Sequence, residues 1–256
     1  MENAVIFGTY QFIGFHLCRS LLEEGEAVYG ISYPNVEIKD IEEKRLEIGR
    51  NANYQEISWE DKTAFESGKI IYDCYDLSKS KQIVERIKSD VLQEQNVQEL
   101  KRHNQELIFL GNILEFEEHA VNLYSLLEQH GLPYRAIYFP TLFGPWQPNE
   151  FLFAQLLEGN EEIVLSDKEY REDAIFVADA VHSIKELLVK NSEKYIFLRS
   201  GLKDQWQQCK EAIRELAVDI PSYAAIPPLL HSYGVASTNS NAENLEMQRR
   251  HIKMYK

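Results

Sequence analysis

Apolar and polar positions follow one another in blocks along the N-terminal part of the chain. Residues 4–7 form a short, wholly apolar run, as expected for a strand buried on both faces of a parallel sheet. A turn follows, and residues 15–24 then carry apolar side chains at helical spacing up to Gly25, a residue type that often ends helices. Residues 27–31 are apolar again. The pattern predicts a β-α-β unit of about thirty residues.

The alternation continues up to residue 139. Further strands are predicted at residues 53–57, 69–75, 106–110 and 134–139. Helices are predicted at residues 35–50, 80–104 and 115–130. Strands that alternate with helices at this spacing predict an α/β fold with a doubly wound, Rossmann-like parallel sheet. This first domain would span residues 1–145.

Shorter elements follow and predict a smaller C-terminal lobe over residues 146–226. Its predicted helices are residues 150–157, residues 203–217, and one that Asp179 caps and that runs to residue 190. Its predicted strands are residues 163–166, 174–177 and 194–199. Residues 227–256 are polar and then basic, and we interpret them as a tail. We interpret the basic end as an oligomer or crystal contact in preference to a nucleic-acid arm, and a homodimer is a candidate assembly.

The charge and cysteine content exclude several classes of function. The chain has 27 Lys and Arg against 41 Asp and Glu, a net charge of −14, which disfavours nucleic acid and anionic lipid as partners. Its three cysteines are too few and too scattered for a disulfide framework, so we expect them to be reduced, in the cytoplasm. The sequence contains no long apolar run of the kind that would predict a membrane span. No zinc-ligand spacing occurs, and we expect no metal.

The turn between the first strand and the first helix carries the main functional signal. Gly8 and Gly14 are the first and last glycines of a G-x-x-G-x-x-G dinucleotide-binding pattern, and Gln11 replaces the middle one. In such turns the pyrophosphate lies at the helix N-terminus, against backbone N–H groups. The turn therefore predicts a cofactor site. Its candidate residues are Gly8, Thr9, Gln11, Phe12, Ile13 and Gly14. In the alternative interpretation, the glycines serve only turn geometry and packing.

The residues at the end of the second strand do not decide between NAD and NADP. An Asp or Glu there would select NAD through the ribose 2′-hydroxyl, but the chain has Ser32 and Tyr33. Ser32 is the ribose-side candidate, and the cofactor is NAD or NADP. Asp76 follows the fourth strand at the carboxyl edge of the sheet, where ligands of α/β proteins bind. It is a candidate for lining the pocket, and otherwise it begins the next turn.

Four segments, taken in order, resemble the extended short-chain dehydrogenases, the NAD-dependent epimerase/dehydratase family. They are residues 5–25, the Gly-Leu-Pro at 131–133, the Phe-Gly-Pro-Trp-Gln-Pro at 143–148, and the stretch 173–179. The resemblance implies that the smaller lobe binds substrate, and that the partner is a small-molecule nucleotide or sugar nucleotide. On the substrate side, Tyr138 stands where the family often has arginine and Thr141 where it often has asparagine. Arg171 is one place out of register with a family arginine.

The chain departs from this family at its catalytic pair. The family's Tyr-x-x-x-Lys motif would fall near Gly111 and Glu115, and no lysine occurs between Lys101 and Lys168. We therefore assign no catalytic residue and leave open whether the protein is an enzyme. One hypothesis is an NAD(P)-binding, epimerase/dehydratase-like protein without the usual pair. The alternative is a catalytically inactive binding or regulatory protein on the same scaffold.

Overall fold

The computed structural model of the protein describes residues 3–61, 68–77, 80–190 and 193–255. Strand β1 (Asn3–Phe7) pairs in parallel with β2 (Ala27–Ile31) on one side and with β4 (Lys69–Asp73) on the other, so that Val5 lies opposite both Tyr29 and Ile70. All three strands are largely buried, because parallel sheets are covered on both faces.

The remaining strands within the described residues extend this arrangement. They are β3 (Tyr54–Glu56), β5 (Leu107–Asn112), β6 (Tyr134–Phe139), β7 (Thr141–Phe143), β8 (Ala174–Phe176), β9 (Tyr195–Arg199) and β10 (His231–Gly234). Eight strands form one parallel sheet in the order β10-β9-β6-β5-β4-β1-β2-β3, while β7 and β8 pair separately. The predicted doubly wound α/β fold is confirmed.

The α-helices of the described residues connect these strands. They are α1 (Phe12–Glu23), α2 (Ile41–Ile48), α3 (Ser80–Val91), α4 (Glu94–Arg102), α5 (Phe116–His119), α6 (Ser125–Gln129), α7 (Leu152–Glu158), α8 (Val177–Lys190), α9 (Gln205–Ile213) and α10 (Asn241–Met254). The chain divides into two compact units, Met1–Gly111 with Glu115–Ala136, and Asn112–Leu114 with Ile137–Lys256.

Aromatic side chains fill much of the core of the first unit. The ring of Phe7 stacks on Tyr72 at 4.4 Å, and Tyr72 stacks on Phe109 at 5.2 Å. The second unit has its own apolar core, in which Trp206 of α9 and Leu245 of α10 pack with the other buried side chains. Each unit therefore buries its own hydrophobic cluster.

Two helices predicted as continuous are interrupted. Residues 80–104 form α3 and α4, because Gln93 adopts an extended conformation (φ −60°, ψ 135°) and Asn96 Nδ2 donates to the carbonyl oxygen of Asp90, 2.8 Å away. Within residues 115–130 a π-helical turn, Ala120–Tyr124, separates α5 from α6. Tyr124 ends that turn and stacks on Tyr134 at 5.0 Å.

The predicted strand at residues 163–166 is wrong. The side chain of Gln155 takes the place of a neighbouring strand, since its Oε1 accepts from Val164 N at 2.9 Å and its Nε2 donates to Val164 O at 2.6 Å. The backbone N–H and carbonyl groups of Val164 are thus both bound by one amide side chain. A side-chain amide of this kind leaves no periodic signal in the sequence.

The C-terminal predictions also need correction. Asp179 does not cap α8, which begins at Val177; its Oδ1 instead accepts from the backbone N and the hydroxyl of Thr238, at 3.2 and 2.7 Å. Residues 227–256, interpreted as a polar tail, contain β10 and α10. A reciprocal capping box between Ser240 and Glu243 begins α10, and the largely polar composition of this helix hides it in the sequence.

The close approach of α1 to β1 depends on Gly14. A Cβ atom at this position would lie 2.2 Å from the carbonyl oxygen of Gly8, closer than real Cβ contacts allow. Gly234, in contrast, has open space around its Cβ position. The third glycine position of the turn is therefore fixed by packing.

We expect Gly14→Ala to lower the free energy of unfolding by about 1–3 kcal/mol, through forced separation of the helix and the strand. In an open helix, the same change would raise stability by up to about 1 kcal/mol, so the sign of the effect is informative. Urea denaturation measures it, with Gly234→Ala as the matched control, expected within about 0.5 kcal/mol of the parent. A stabilised Gly14→Ala protein would contradict the close approach.

Candidate functional site

The glycine turn is held by hydrogen bonds within its own unit. Gly8 has φ +84°, a left-handed conformation that glycine adopts without strain, and its carbonyl oxygen accepts from Gln11 N at 2.8 Å. Thr9 Oγ1 donates to Ile6 O at 2.6 Å and accepts from Ile31 N at 3.0 Å. The hydroxyl of Thr9 therefore ties the turn to β1 and β2.

The N-terminal turn of α1 binds two carboxylates of the chain itself. Gly14 N donates to Asp73 Oδ2 at 2.6 Å, and Phe12 N donates to Asp76 Oδ2 at 3.3 Å. Gln11 precedes the helix, and its Nε2 donates to Asp76 Oδ1 at 3.3 Å. In dinucleotide-binding folds these N–H groups face the pyrophosphate. Here the acceptors at the helix N-terminus are the side chains of Asp73, the last residue of β4, and of Asp76, three residues later.

Asp73 is the more firmly held of the two acids. It is fully buried, and its second oxygen, Oδ1, accepts from Tyr75 N at 3.1 Å. Burial and, after it, the charge of Asp76 raise the pKa of Asp73 well above its usual range, while hydrogen bonds from backbone N–H groups act in the opposite direction. The carboxyl group of Asp73 is thus part of the core.

A buried lysine lies in the same neighbourhood. Lys44 is 5% exposed, and its Nζ donates to the carbonyl oxygen of Tyr10 at 2.8 Å. Burial lowers the pKa of Lys44, and the charges of Asp76, Asp40 and Asp73 oppose that shift. The chain therefore places two acids and a lysine around the first turn of α1.

Aromatic rings cover the ribose side of the turn. Tyr33 is 3% exposed, and its ring lies so close to Gly8 that a Cβ there would be 2.6 Å from it. Trp59 packs against Tyr33, with ring centroids 5.8 Å apart. The hydroxyl of Ser32 is buried and makes no hydrogen bond within the part of the chain that the structure describes. Desolvation raises the pKa of Tyr33 well above its usual range.

Gly111 and Glu115, near which the family's Tyr-x-x-x-Lys pair would fall, offer little proton-transfer chemistry. Gly111 lies within the buried strand β5, and Glu115 ends the short 3-10 helix Ile113–Glu115. His119, one turn later, is buried, and desolvation lowers its pKa to about 4. Tyr124 is buried, between the rings of Phe109 and Tyr134.

Of the substrate-side candidates, Asp76 lies in the first unit, whereas Tyr138, Thr141 and Arg171 lie in the second. Tyr138 is fully buried in β6, and Thr141 Oγ1 donates to Tyr170 O at 3.0 Å. Arg171 Nη1 donates to Asp219 O at 2.9 Å, and its backbone N donates to the hydroxyl of Tyr223 at 3.0 Å. The contacts of Thr141 and Arg171 are of a kind that stabilises loops.

One buried acid near Arg171, Glu169, is not predicted from the sequence. Glu169 is 1% exposed, and its two oxygens accept from Trp206 Nε1 at 3.0 Å and from Leu152 N at 3.1 Å. Desolvation raises the pKa of Glu169 to about 7, against the opposing effect of these hydrogen bonds and of Arg171. No sequence pattern distinguishes it from the exposed glutamates around it.

Among the described residues, no cluster of His, Cys, Asp or Glu is arranged to hold a metal ion. None of the helices in these ranges is both long enough and apolar enough to cross a membrane.

We compare the free energy of unfolding of the parent with that of a Glu169→Gln variant. We expect the difference, parent minus variant, to fall by on the order of 2 kcal/mol between pH 5 and pH 8. The folded-state pKa of about 7 exceeds the ordinary value of 4.5, so the stability that the neutral acid contributes is fully present below pH 4.5 and is lost as pH rises through 7. Urea denaturation at several pH values measures this difference. The exposed Glu162→Gln is the control, and a difference that stays constant with pH would contradict the prediction.

Comparison with known proteins adds evidence on the fold. No protein-family model matches the sequence, and no curated protein matches it. UDP-glucuronic acid 4-epimerase from Bacillus cereus, in complex with UDP-glucuronic acid and NAD, matches with TM-score 0.69 and 15% identity, over 99% of this chain and 100% of that chain.

Two further solved structures give the same result. The dTDP-glucose 4,6-dehydratase from Bacillus anthracis, in complex with NAD, matches with TM-score 0.71 and 12% identity, over 99% of this chain and 97% of that chain. UDP-glucose 4-epimerase from Thermotoga maritima, with UDP-glucose, matches with TM-score 0.62 and 16% identity, over 99% of both chains. The chain therefore has the fold of NAD-dependent sugar-nucleotide epimerases and dehydratases, which its sequence motifs predict.

Proposed function

We propose that this protein is a catalytically inactive binding or regulatory protein on the epimerase/dehydratase scaffold, and that it holds no dinucleotide at its glycine turn. The observation that carries the proposal is the pair of hydrogen bonds from Gly14 N to Asp73 and from Phe12 N to Asp76. These are N–H groups that would otherwise receive a pyrophosphate. These hydrogen bonds favour the inactive binding or regulatory protein, the second hypothesis drawn from the sequence, over a cofactor-binding protein.

The electrostatics of the turn support this proposal. A pyrophosphate brought to the first turn of α1 would meet the carboxylate of Asp76, and two unit charges about 4 Å apart near a protein surface repel by about 4 kcal/mol. Asp73 cannot swing away cheaply, because it is fully buried and both of its oxygens accept hydrogen bonds. The ring of Tyr33, packed over Gly8, occupies further space.

The missing acid–base group supports inactivity independently. Removing hydride from a sugar carbon requires the adjacent hydroxyl proton to leave, and a positioned base contributes about a hundred- to ten-thousand-fold to such a step. Gly111 has no side chain, and a carboxylate at Glu115 would raise the pKa of a nearby phenol. Tyr124 is enclosed by other rings and Tyr138 is fully buried, so neither phenol replaces the family's tyrosine.

A second candidate function is an NAD(P)-binding, epimerase/dehydratase-like protein that lacks the usual Tyr-x-x-x-Lys pair. The specific observation in its favour is the fold, since the similar solved structures named above are complexes with NAD or with sugar nucleotides. Asp76 would have to leave the helix N-terminus first. The hydrogen bonds that Asp76 accepts from Gln11 and Phe12 are both 3.3 Å long, against 2.6 Å for the bond from Gly14 to Asp73. Ser32 would not distinguish NAD from NADP.

We expect no epimerase or dehydratase turnover when purified protein is incubated with UDP-, GDP- and dTDP-sugars and NAD or NADP. The reason is the absence of a positioned base, which alone costs about two to four orders of magnitude. Product analysis by chromatography measures it, with a Tyr138→Phe variant assayed in parallel. Robust turnover by the parent that Tyr138→Phe abolishes would show that the base had moved to β6, and would overturn the proposal.

A further inference from the structure

One side of helix α10 packs into the second unit, and the other side faces solvent. On the packed side, Leu245 belongs to the apolar core, and Gln248 Nε2 donates to Gln147 Oε1 at 2.7 Å. A shallow groove of about 360 Å³ follows the opposite side, which we call the outer face of α10. The groove is lined by Ala242, Glu243, Glu246, Met247 and Arg250, and Lys253 and Met254 continue the outer face by one turn.

The charges of the outer face are segregated along the helix. Its two acids, Glu243 and Glu246, lie in the N-terminal half of α10, and its two bases, Arg250 and Lys253, lie in the C-terminal half. With Arg249, the whole helix carries three bases and two acids, a net charge of +1, in a chain of net charge −14. A second copy of this acidic chain can therefore approach α10 without the repulsion that it meets elsewhere.

Two copies of α10 are complementary when they run antiparallel about a two-fold axis at the level of Gln248. In a two-fold contact, residue i lies opposite residue j of the partner, and j lies opposite i. Glu246 then lies opposite the partner's Arg250, and Glu243 lies opposite the partner's Lys253. Every acid of the outer face thus meets a base, whereas a parallel pairing in register would place like charges opposite each other.

The outer face has polar atoms available for these contacts. The Arg250 side chain is 75% exposed, and its Nε donates to Glu246 Oε1 of its own helix at 2.9 Å. Its two terminal Nη groups point to no printed acceptor of the chain, and they can bind the partner's Glu246, which joins four charges in one network. Glu243 uses Oε2 for the capping box with Ser240, so its Oε1 can accept from the partner's Lys253. Among the described residues, Lys253 makes no ion pair.

Two exposed methionines supply the apolar part of the contact. Met247 is 45% exposed and Met254 is 74% exposed. The same antiparallel register places Met254 opposite the partner's Ala242, so that a long flexible side chain meets the smallest side chain of the outer face. A helix of 14 residues is about 21 Å long, so the contact lies at the small end of protein interfaces and forms a weak, reversible dimer.

We propose that the outer face of α10 binds the same face of a second copy of this chain, with the two helices antiparallel. The contact uses residues of the second unit only, so it holds whether or not the glycine turn binds a dinucleotide.

Sedimentation equilibrium of the full chain tests the proposal. We expect a reversible dimer that becomes populated as the protein concentration rises from about 5 μM to about 1 mM. Glu246→Arg and Arg250→Glu should each weaken the dimer at least about tenfold, because each places two pairs of like charges across the axis. The matched control is Glu162→Arg, which makes the same change of charge at an exposed glutamate outside α10 and should leave the dimer unchanged.

Two rescue measurements separate the proposed pairing from a loss of folding. The double variant Glu246→Arg with Arg250→Glu keeps opposite charges within the helix and across the axis, so it should dimerise like the parent. An equimolar mixture of the two single variants should form a heterodimer. If a single variant does not fold, as judged by circular dichroism, Lys253→Glu in the last turn gives the same test against Glu243.

Three results would overturn the proposal. The first is a parent protein that stays monomeric at about 1 mM. The second is a dimer that survives both Glu246→Arg and Arg250→Glu, since that dimer would use another face of the chain. The third is a dimer that Glu162→Arg weakens as much as Glu246→Arg does, because the effect would then come from net charge alone.

Discussion

Two carboxylates bound to the first turn of α1 determine the character of this protein. A helix N-terminus presents N–H groups and a partial positive charge, so these N–H groups need acceptors when buried, and a carboxylate is well suited to that role. In dinucleotide-binding folds a ligand can do so, but here Asp73 and Asp76 occupy these groups. The same interaction joins α1 to the end of β4, so it stabilises this unit while it occupies the N–H groups of the helix N-terminus.

The remaining features of the turn agree with this arrangement. Gly8 and Gly14 are retained because the turn and the helix–strand approach still require them, with or without a cofactor. Tyr33 and Trp59 fill space beside the turn, and the buried cation of Lys44 lies near the two acids. Buried polar groups need partners, and at this turn the chain's own side chains supply them.

The sheet could be predicted from the sequence because its signals are local. Strands such as β1 are continuous apolar runs, and α1 shows apolar side chains at helical spacing between two glycines. The occupant of the helix N-terminus could not be predicted, since Gly14 and Asp73 are 59 positions apart and no pattern links them. The role of Glu169 was invisible for the same reason, because its partner Trp206 lies 37 positions away.

The N–H groups of Phe12 and Gly14 are occupied by the chain's own acids. Titration of ¹⁵N-labelled protein with NADH, followed through the amide resonances of these two residues, tests directly whether a dinucleotide can displace them. We expect both resonances to stay unchanged up to millimolar NADH. Saturable shifts of both amides would contradict it, because they would show that a pyrophosphate displaces the carboxylates from the first turn of α1.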